Sequence, residues 1–538
     1  MSFNLEDTIS KYHDFELNGS YIIYGLVVFA LCYWSKYTEL KNPSGLPIIG
    51  RRWYELGNGK ASQRFRDDCL GIVRSSLKKY GDAFYLYTDS RYRLILSHKY
   101  VDMIRNEKRL DFITALADKL DSGVHGFEPM ASMTSDKKIL HAVTKHSLNR
   151  YLGEPFPTFS FTRDAWNCLG EKLSNFTKGT FVEPLNEESD YAVREVWTDK
   201  PEPHEVMLKD SVWRMFAQIM SRMFINDKDF YRNPEWVNAS SEYVELSALA
   251  GFELRAFPKW AKRFAAPFLP NCRKLQSLFK HINTLLNPLK EKLDGKILEA
   301  DPKNPLSFLH QKLEGQSDEL ASMLIALCLV SYDGGAELFT HVLHSVFRND
   351  QLISDLRSEI VNVVGKEGFN RNTLQNLVLM DSVLKEAQRM HPESVLLLQR
   401  IALEKVVLPD GLIIPKGTSI MVSGCHMIDA SVWPDGDKFD GYRFFNLRQK
   451  TDSSASQASY NFTSTSPEHF SFGHGSQACP GRFFASYMQK ILLCHVIMKY
   501  DVSVTIPEEG AWFQRGATHV ANPGLKARVR RRKEEIQL

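Results

Sequence analysis

The chain has 538 residues, 43% hydrophobic and 24% charged, with 67 Lys and Arg against 64 Asp and Glu and a formal net charge of +3. A chain of this size so close to neutral excludes nucleic acid as a partner held by bulk charge. Its eight cysteines (Cys32, Cys69, Cys168, Cys272, Cys328, Cys425, Cys479, Cys494) form no C-x-x-C pair, which argues for reduced thiols and against a zinc site.

At the N-terminus, Leu17 to Ser35 contains no charge, and Tyr21 to Trp34 is almost wholly apolar with aromatic rings at its ends. That is just long enough to span a bilayer. Glu6, Asp7, Asp14 and Glu16 precede it against Lys11, whereas Lys36, Lys41, Arg51 and Arg52 follow. The positive-inside rule therefore predicts a short lumenal segment over 1–16, an uncleaved single-pass transmembrane helix over 17–35 and a cytosolic remainder. Residues 36–50, with Pro43 and Pro47 around Ser44-Gly45-Leu46, break the helix and predict a stiff hinge. No Gly/Ser or Pro-rich linker divides the rest, so 51–538 reads as one large domain.

Within that domain the periodicity is mostly helical, near 205–226, 273–299, 318–348, 350–364 and 373–391. Strand-like pieces are fewer: Phe84 to Tyr87, Arg93 to Leu96, Val406 to Leu408 and Ser419 to Val422. The class is mainly α with a small β portion. The Ser-rich stretch from Asp452 to Ser466 reads as a solvated loop, and Arg528 to Lys533 as a solvated basic tail. In the helix ending near 391, Glu386 and Arg389 stand at i,i+3 on one face, within reach of each other and of a third group.

The most informative run is Phe472-Gly473-His474-Gly475-Ser476-Gln477-Ala478-Cys479-Pro480-Gly481-Arg482-Phe483-Phe484-Ala485. A cysteine that holds iron as a thiolate needs a tight glycine-rich loop whose N–H groups can face the sulfur. Gly473, Gly475 and Gly481 allow the turn and the close approach of a flat macrocycle, and Phe472 supplies an aromatic wall that limits water. The apolar helical run from Phe483 places Cys479 just before a helix N-terminus, which favours a thiolate. The spacing Phe472, Gly475, Cys479, Gly481 resembles the haem-binding loop of the cytochrome P450 family, and Ala478 to Ala485 looks most like fungal members acting in terpenoid and other secondary metabolism.

The resemblance implies the P450 fold, with haem b held by Cys479 as axial ligand and with Phe472 and Gly475 lining it. Phe439-Asp440-Gly441-Tyr442-Arg443-Phe444 resembles the segment whose arginine completes a buried cluster, here Glu386, Arg389 and Arg443. For the haem propionates it implies His141, Lys145 and Arg400; Gln477 and Ser476 stand where the family often has basic residues. On the oxygen side, ungapped alignment puts Asp333 in the place of the proton-delivering acid and Gly334, which has no hydroxyl, in the place of the usual threonine; a shifted register over Gly334-Gly335-Ala336-Glu337 lacks the threonine as well.

The implied activity is a monooxygenase on the endoplasmic reticulum membrane that uses O2 and electrons from NADPH, passed by cytochrome P450 reductase with cytochrome b5 as a second donor. The reductase would dock on a basic face including Lys138, Arg150, Arg482 and Lys490, and the lipophilic substrate would lie among Phe112, Ile113, Leu329, Val395, Leu396, Trp512 and Phe513. Two rivals are a haem-thiolate rearrangement or dehydration enzyme needing no reductase, which the missing threonine favours, and a non-catalytic haem-binding membrane protein.

Overall fold

Helical periodicity dominates the residues that the structure, a computed structural model, describes: 42–538 except 56, 89–90, 120–122, 136–180, 226, 256, 258, 295–305, 307–308, 310–312 and 314–318. Met1–Gly45 and Leu46–Leu538 form separate units, and every element described belongs to the second. The principal helices are α1 (Gly59–Tyr80), α2 (Phe112–Lys119), α3 (Val182–Trp197), α4 (Leu208–Phe224), α5 (Pro234–Leu254), α6 (Pro270–Leu285), α7 (Leu320–Val346), α8 (Asp350–Glu367), α9 (Val378–Met390), α10 (Arg443–Gln449) and α11 (Arg482–Lys499). The apolar faces of α3 to α9 and of α11 meet in one large core that includes Trp197, Phe216, Trp236, Tyr332, Phe339 and Ile491.

Thirteen strands are described: β1 (Ile48–Ile49), β2 (Ala83–Tyr87), β3 (Tyr92–Leu96), β4 (Leu110–Asp111), β5 (His204–Met207), β6 (Leu396–Ala402), β7 (Val406–Val407), β8 (Ile413–Ile414), β9 (Ser419–Ser423), β10 (Tyr500–Thr505), β11 (Trp512–Arg515), β12 (Thr518–Ala521) and β13 (Lys526–Arg531). Six form a sheet in the order β1-β2-β3-β9-β6-β4; β10-β13-β5 form a second, and β11-β12 and β7-β8 are hairpins. The β6/β9 register shifts between Leu397 and Arg400, where Leu398 has φ +48°, so a bulge re-aims the strand just before Arg400.

The predicted membrane span over 17–35 and its lumenal segment lie outside the described residues. Among the described residues one helix is long and apolar enough to cross a membrane, and it is the internal α7. The expectation of a fold preceded by a single N-terminal transmembrane helix is corrected to that extent. Helix α7 is apolar around most of its circumference because α4, α5 and α9 pack against it.

Three local expectations also change. His204–Met207 is not the start of a helix: it is β5, paired antiparallel to β13 from Met207↔Lys526 to His204↔Val529. The basic tail is not free either, because β13 is the central strand of its sheet and Ala527 and Val529 are fully buried. The Ser-rich stretch contains a short helix, Ser454–Ala458, and is pinned by the buried Lys385 ammonium, which donates to the carbonyls of Asn461 and Ser464 at 2.8 Å each.

Candidate active site

The loop that carries Cys479 is shaped by positive-φ glycines, Gly473 at +72° and Gly475 at +76°. A Cβ on Gly475 would sit 2.6 Å from the Arg105 carbonyl oxygen, so the loop packs on the Arg105-Asn106 backbone only because that position is glycine. Cys479 N–H donates to the Phe472 carbonyl at 2.7 Å, closing the turn. Gln477 ties the turn to its neighbours: its Oε1 accepts from Phe112 N–H at 3.0 Å and its Nε2 donates to the Leu110 carbonyl at 3.0 Å. The glutamine that departs from the family's basic residue is therefore a docking group. Phe472 packs edge-on against the buried Phe462, ring centroids 5.1 Å apart.

Cys479 stands immediately before α11, whose N-cap is Gly481. Its side chain keeps open surface although the domain surrounds it. Burial pushes its thiol above the usual value; the Gly481 N–H and the Arg482 charge pull it down, and the Glu393 carboxylate raises it. Backbone N–H groups aimed at a sulfur are what a metal-bound thiolate needs to lower its charge density. Arg482 Nη1 also donates to the Cys479 carbonyl at 2.8 Å.

Beyond one edge of this loop lies Arg400, 4% exposed. Its Nη1 donates to the Gln399 carbonyl at 2.7 Å, and its guanidinium stands 5.5 Å from the Phe112 ring. Burial lowers its pKa to about 10, with Asp111 opposing. A guanidinium desolvated this far is suited to a carboxylate ligand such as a haem propionate. The residues present thus fit haem at two independent points, the sulfur with its N–H donors and the buried cation.

Behind the loop, Glu386 is fully buried and takes both oxygens to Arg389, Nε–Oε2 and Nη2–Oε1 at 2.8 Å each. Arg443 Nε donates to Glu386 Oε1 at 3.0 Å, and Asp440 N–H reaches the same oxygen at 3.1 Å. The remaining guanidinium protons go to backbone: Arg389 Nη1 to the Gly436 carbonyl at 2.7 Å and Arg443 Nη2 to that of Asp435 at 3.1 Å. The cluster ties α9 and α10 to the segment that leads toward the Cys479 loop.

On the opposite wall, Gly334 and Gly335 lie within α7 and face different neighbours. A Cβ on Gly334 would stand 3.5 Å from Glu393 Oε2, whereas one on Gly335 would meet Phe216 Cε1 at 2.8 Å. Asp333 belongs to the same helix, while His141 and Lys145, like Lys138 and Arg150, lie outside the described residues.

Of the other residues read from the sequence, Phe112, Trp512 and Phe513 keep open surface. Val395 and Leu396 do not: they are 1% and 2% exposed and belong to a separate core cluster with Phe65 of α1 and Phe84 of β2. Lys490 is not on a docking face, since it is buried, 2.5 Å from Asp381 and bonded to the Leu374 carbonyl. Sequence reasoning missed Glu393, and it missed a stack of histidines beside the site. His341 and His344 on α7 and His391 after α9 surround Trp512, and His519 on β12 stands edge-on to His391. The i,i+3 spacing of His341 and His344 was the available signal.

The cytochrome P450 family profile matches residues 163–521. Along its whole length the chain is similar to cytochrome P450 monooxygenase adrA of Penicillium rubens, 32% identical over 98% of each chain. It is also similar to esdpI of Penicillium shearii, 31% identical over 91% of this chain and 92% of the relative, and to nodR of Hypoxylon pulicicidum, 30% identical over 91% and 92%. The chain belongs to the cytochrome P450 family: it is a haem-thiolate monooxygenase of fungal type, carrying haem b on a cysteine thiolate and using O2 and reductase-supplied electrons from NADPH on lipophilic small molecules.

Proposed function

We propose that Cys479 is the thiolate ligand, that Phe472 and Gly475 bound the haem on its proximal side, and that Arg400 with His141 and Lys145 binds the propionates. The observation that carries this reading is the pair of backbone N–H groups, Gly481 and Arg482, directed at the one cysteine in a glycine-rich loop. The bound haem supplies oxygen activation. The protein's own residues do the rest: Gly473 and Gly475 hold the turn, Gln477 docks it on Leu110 and Phe112, and Glu386, Arg389 and Arg443 brace the backbone behind it. Asp333 would carry protons toward the reacting oxygen from α7.

The substrate class that fits is a terpenoid or other polycyclic secondary-metabolite intermediate, hydroxylated or further oxidised. Support comes from the wording of the loop, the fungal origin of the relatives and the open apolar surface of Phe112, Trp512 and Phe513. The catalytic domain works on the cytosolic face of the endoplasmic reticulum, with cytochrome P450 reductase and cytochrome b5 as donors, and Arg482 belongs to the docking face. The test is the carbon-monoxide difference spectrum: the red-shifted Soret band of thiolate ligation is expected for wild type and lost in Cys479→Ser. A thiolate band that survives the substitution refutes the ligand assignment. Product analysis with reductase and a panel of terpenoids then tests the substrate class.

A further inference from the structure

A monooxygenase consumes two protons per turnover, RH + O2 + 2 e− + 2 H+ → ROH + H2O, with the electrons supplied from NADPH through the reductase. Something beside the reacting oxygen has to deliver those protons. In this chain the helix position that would carry a hydroxyl is Gly334, and a hydrogen atom delivers nothing. The volume that a side chain on Gly334 would enter borders another group. Glu393 Oε2 stands 3.5 Å, and its Cδ 3.9 Å, from where that Cβ would be. That carboxylate therefore borders α7 at the position where a hydroxyl would otherwise stand on the oxygen side.

The backbone that presents Glu393 is held at both ends. His391 before it is buried and stacked on His341, centroids 4.1 Å apart. After it, Ser394 bridges to Thr518, and Val395 N–H donates to the Ala517 carbonyl at 2.8 Å. Glu393 itself is exposed. The two glycines differ: Gly335 makes room for the Phe216 ring, whereas a Cβ on Gly334 would come only into ordinary contact with the Glu393 carboxylate.

We propose that Glu393 is a catalytic acid of this enzyme, delivering protons through water to the reacting oxygen from the place that a hydroxyl side chain on Gly334 would otherwise take. The proposal rests on the reading of Cys479 as the haem ligand. In each delivery the carboxyl O–H bond breaks, its proton passes to a water at Gly334, and the carboxylate regains a proton from solvent, so that Glu393 is unchanged over the cycle.

The test uses the full-length holoprotein and Glu393→Gln, which keeps size and hydrogen bonding but cannot release a proton. Thiolate Soret bands in both proteins establish that haem binding is intact; their absence from wild type would refute the ligand reading instead. Two quantities are then compared. The infrared C–O stretch of bound carbon monoxide reports a polar neighbour, and the rate of reductase-driven NADPH consumption, in water and in deuterium oxide, reports proton delivery without a known substrate. Glu393→Gln is expected to shift the stretch, to slow consumption by about 100-fold, the lower end of what a positioned acid contributes, and to change the solvent isotope effect. In the double variant Glu393→Ala, Gly334→Thr a hydroxyl returns to the same volume, and consumption is expected to recover relative to Glu393→Ala alone. An unmoved stretch, or an unchanged rate, overturns the proposal.

Discussion

His341 and His391 stack ring on ring, with centroids 4.1 Å apart and planes within 7° of parallel, and neither imidazole is more than 6% exposed. Burial is the main reason that His341 titrates near 3 and His344 near 4; His391 is pushed well below 6.5 and His519 is lowered by the same cause. The charges that face them, Lys209, Arg348, Arg389 and Arg74, push the same way, and the Glu337 carboxylate stands 3.9 Å from His341 Nε2. Above pH 6.5 these imidazoles are neutral in both folded and unfolded chains and contribute no pH dependence. Below it the unfolded chain takes up protons that the folded one refuses, so stability falls as pH falls from 6.5 toward about 4. The slope is up to about 1.4 kcal/mol per pH unit for each such histidine. Replacing the stacked pair, His341→Phe with His391→Phe, is expected to flatten the thermal midpoint between pH 6.5 and 5; an unchanged slope would place the acid sensitivity elsewhere.

Much of the site was legible because its chemistry is local in sequence. The Cys479 loop is contiguous, and Glu386 and Arg389 share one helix turn, so their resemblance to the family's motifs can be read from short segments in the right order, although the Glu386/Arg389 pair alone would carry little. The misreadings came where tertiary pairing overrides local signal. In Lys526-Ala527-Arg528-Val529-Arg530-Arg531 the charges suggest a solvated tail, yet Ala527 and Val529 alternate with them and are fully buried between β5 and β10. Glu393 has no pattern of its own. Its importance comes from an α7 residue 59 positions away in the chain, which only the fold brings near.

Among the described residues Glu386 is the carboxylate that the Arg389 and Arg443 guanidiniums contact, and none of the three is more than 8% exposed. Removing one partner of a buried cluster leaves uncompensated charge at a cost of about 3–5 kcal/mol. Glu386→Ala is therefore expected to lower the thermal midpoint sharply and to reduce recovery of haem-loaded protein, with Arg443→Ala following in the same direction. A variant that melts and loads like wild type would show that the backbone hydrogen bonds alone hold the segment.

Gly475 is expected to tolerate no side chain. At φ +76°, with the Arg105 carbonyl oxygen 2.6 Å from an added Cβ, Gly475→Ala must move either the loop or the Arg105-Asn106 backbone. Haem retention should fall, read as a lower ratio of Soret to protein absorbance. Gln477→Leu removes two hydrogen bonds but introduces no backbone strain, so its loss should be the smaller of the two. Equal effects would mean that docking, and not loop geometry, sets haem affinity.

The adjacent glycines of α7 offer a test with opposite signs. An added methyl at Gly335 would press on Phe216 Cε1 at 2.8 Å, and Phe216 is 1% exposed within the core, so the ring has no free space to yield into. Overpacking of that kind costs about 1–3 kcal/mol. At Gly334 the same methyl would meet Glu393 Oε2 at an ordinary 3.5 Å, and replacing a mid-helix glycine by alanine gains about 1 kcal/mol of helix propensity. Gly335→Ala is thus expected to lower the thermal midpoint and Gly334→Ala to raise it or leave it level. Two variants that shift in the same direction would show that helix propensity, and not the neighbours of each glycine, decides the outcome.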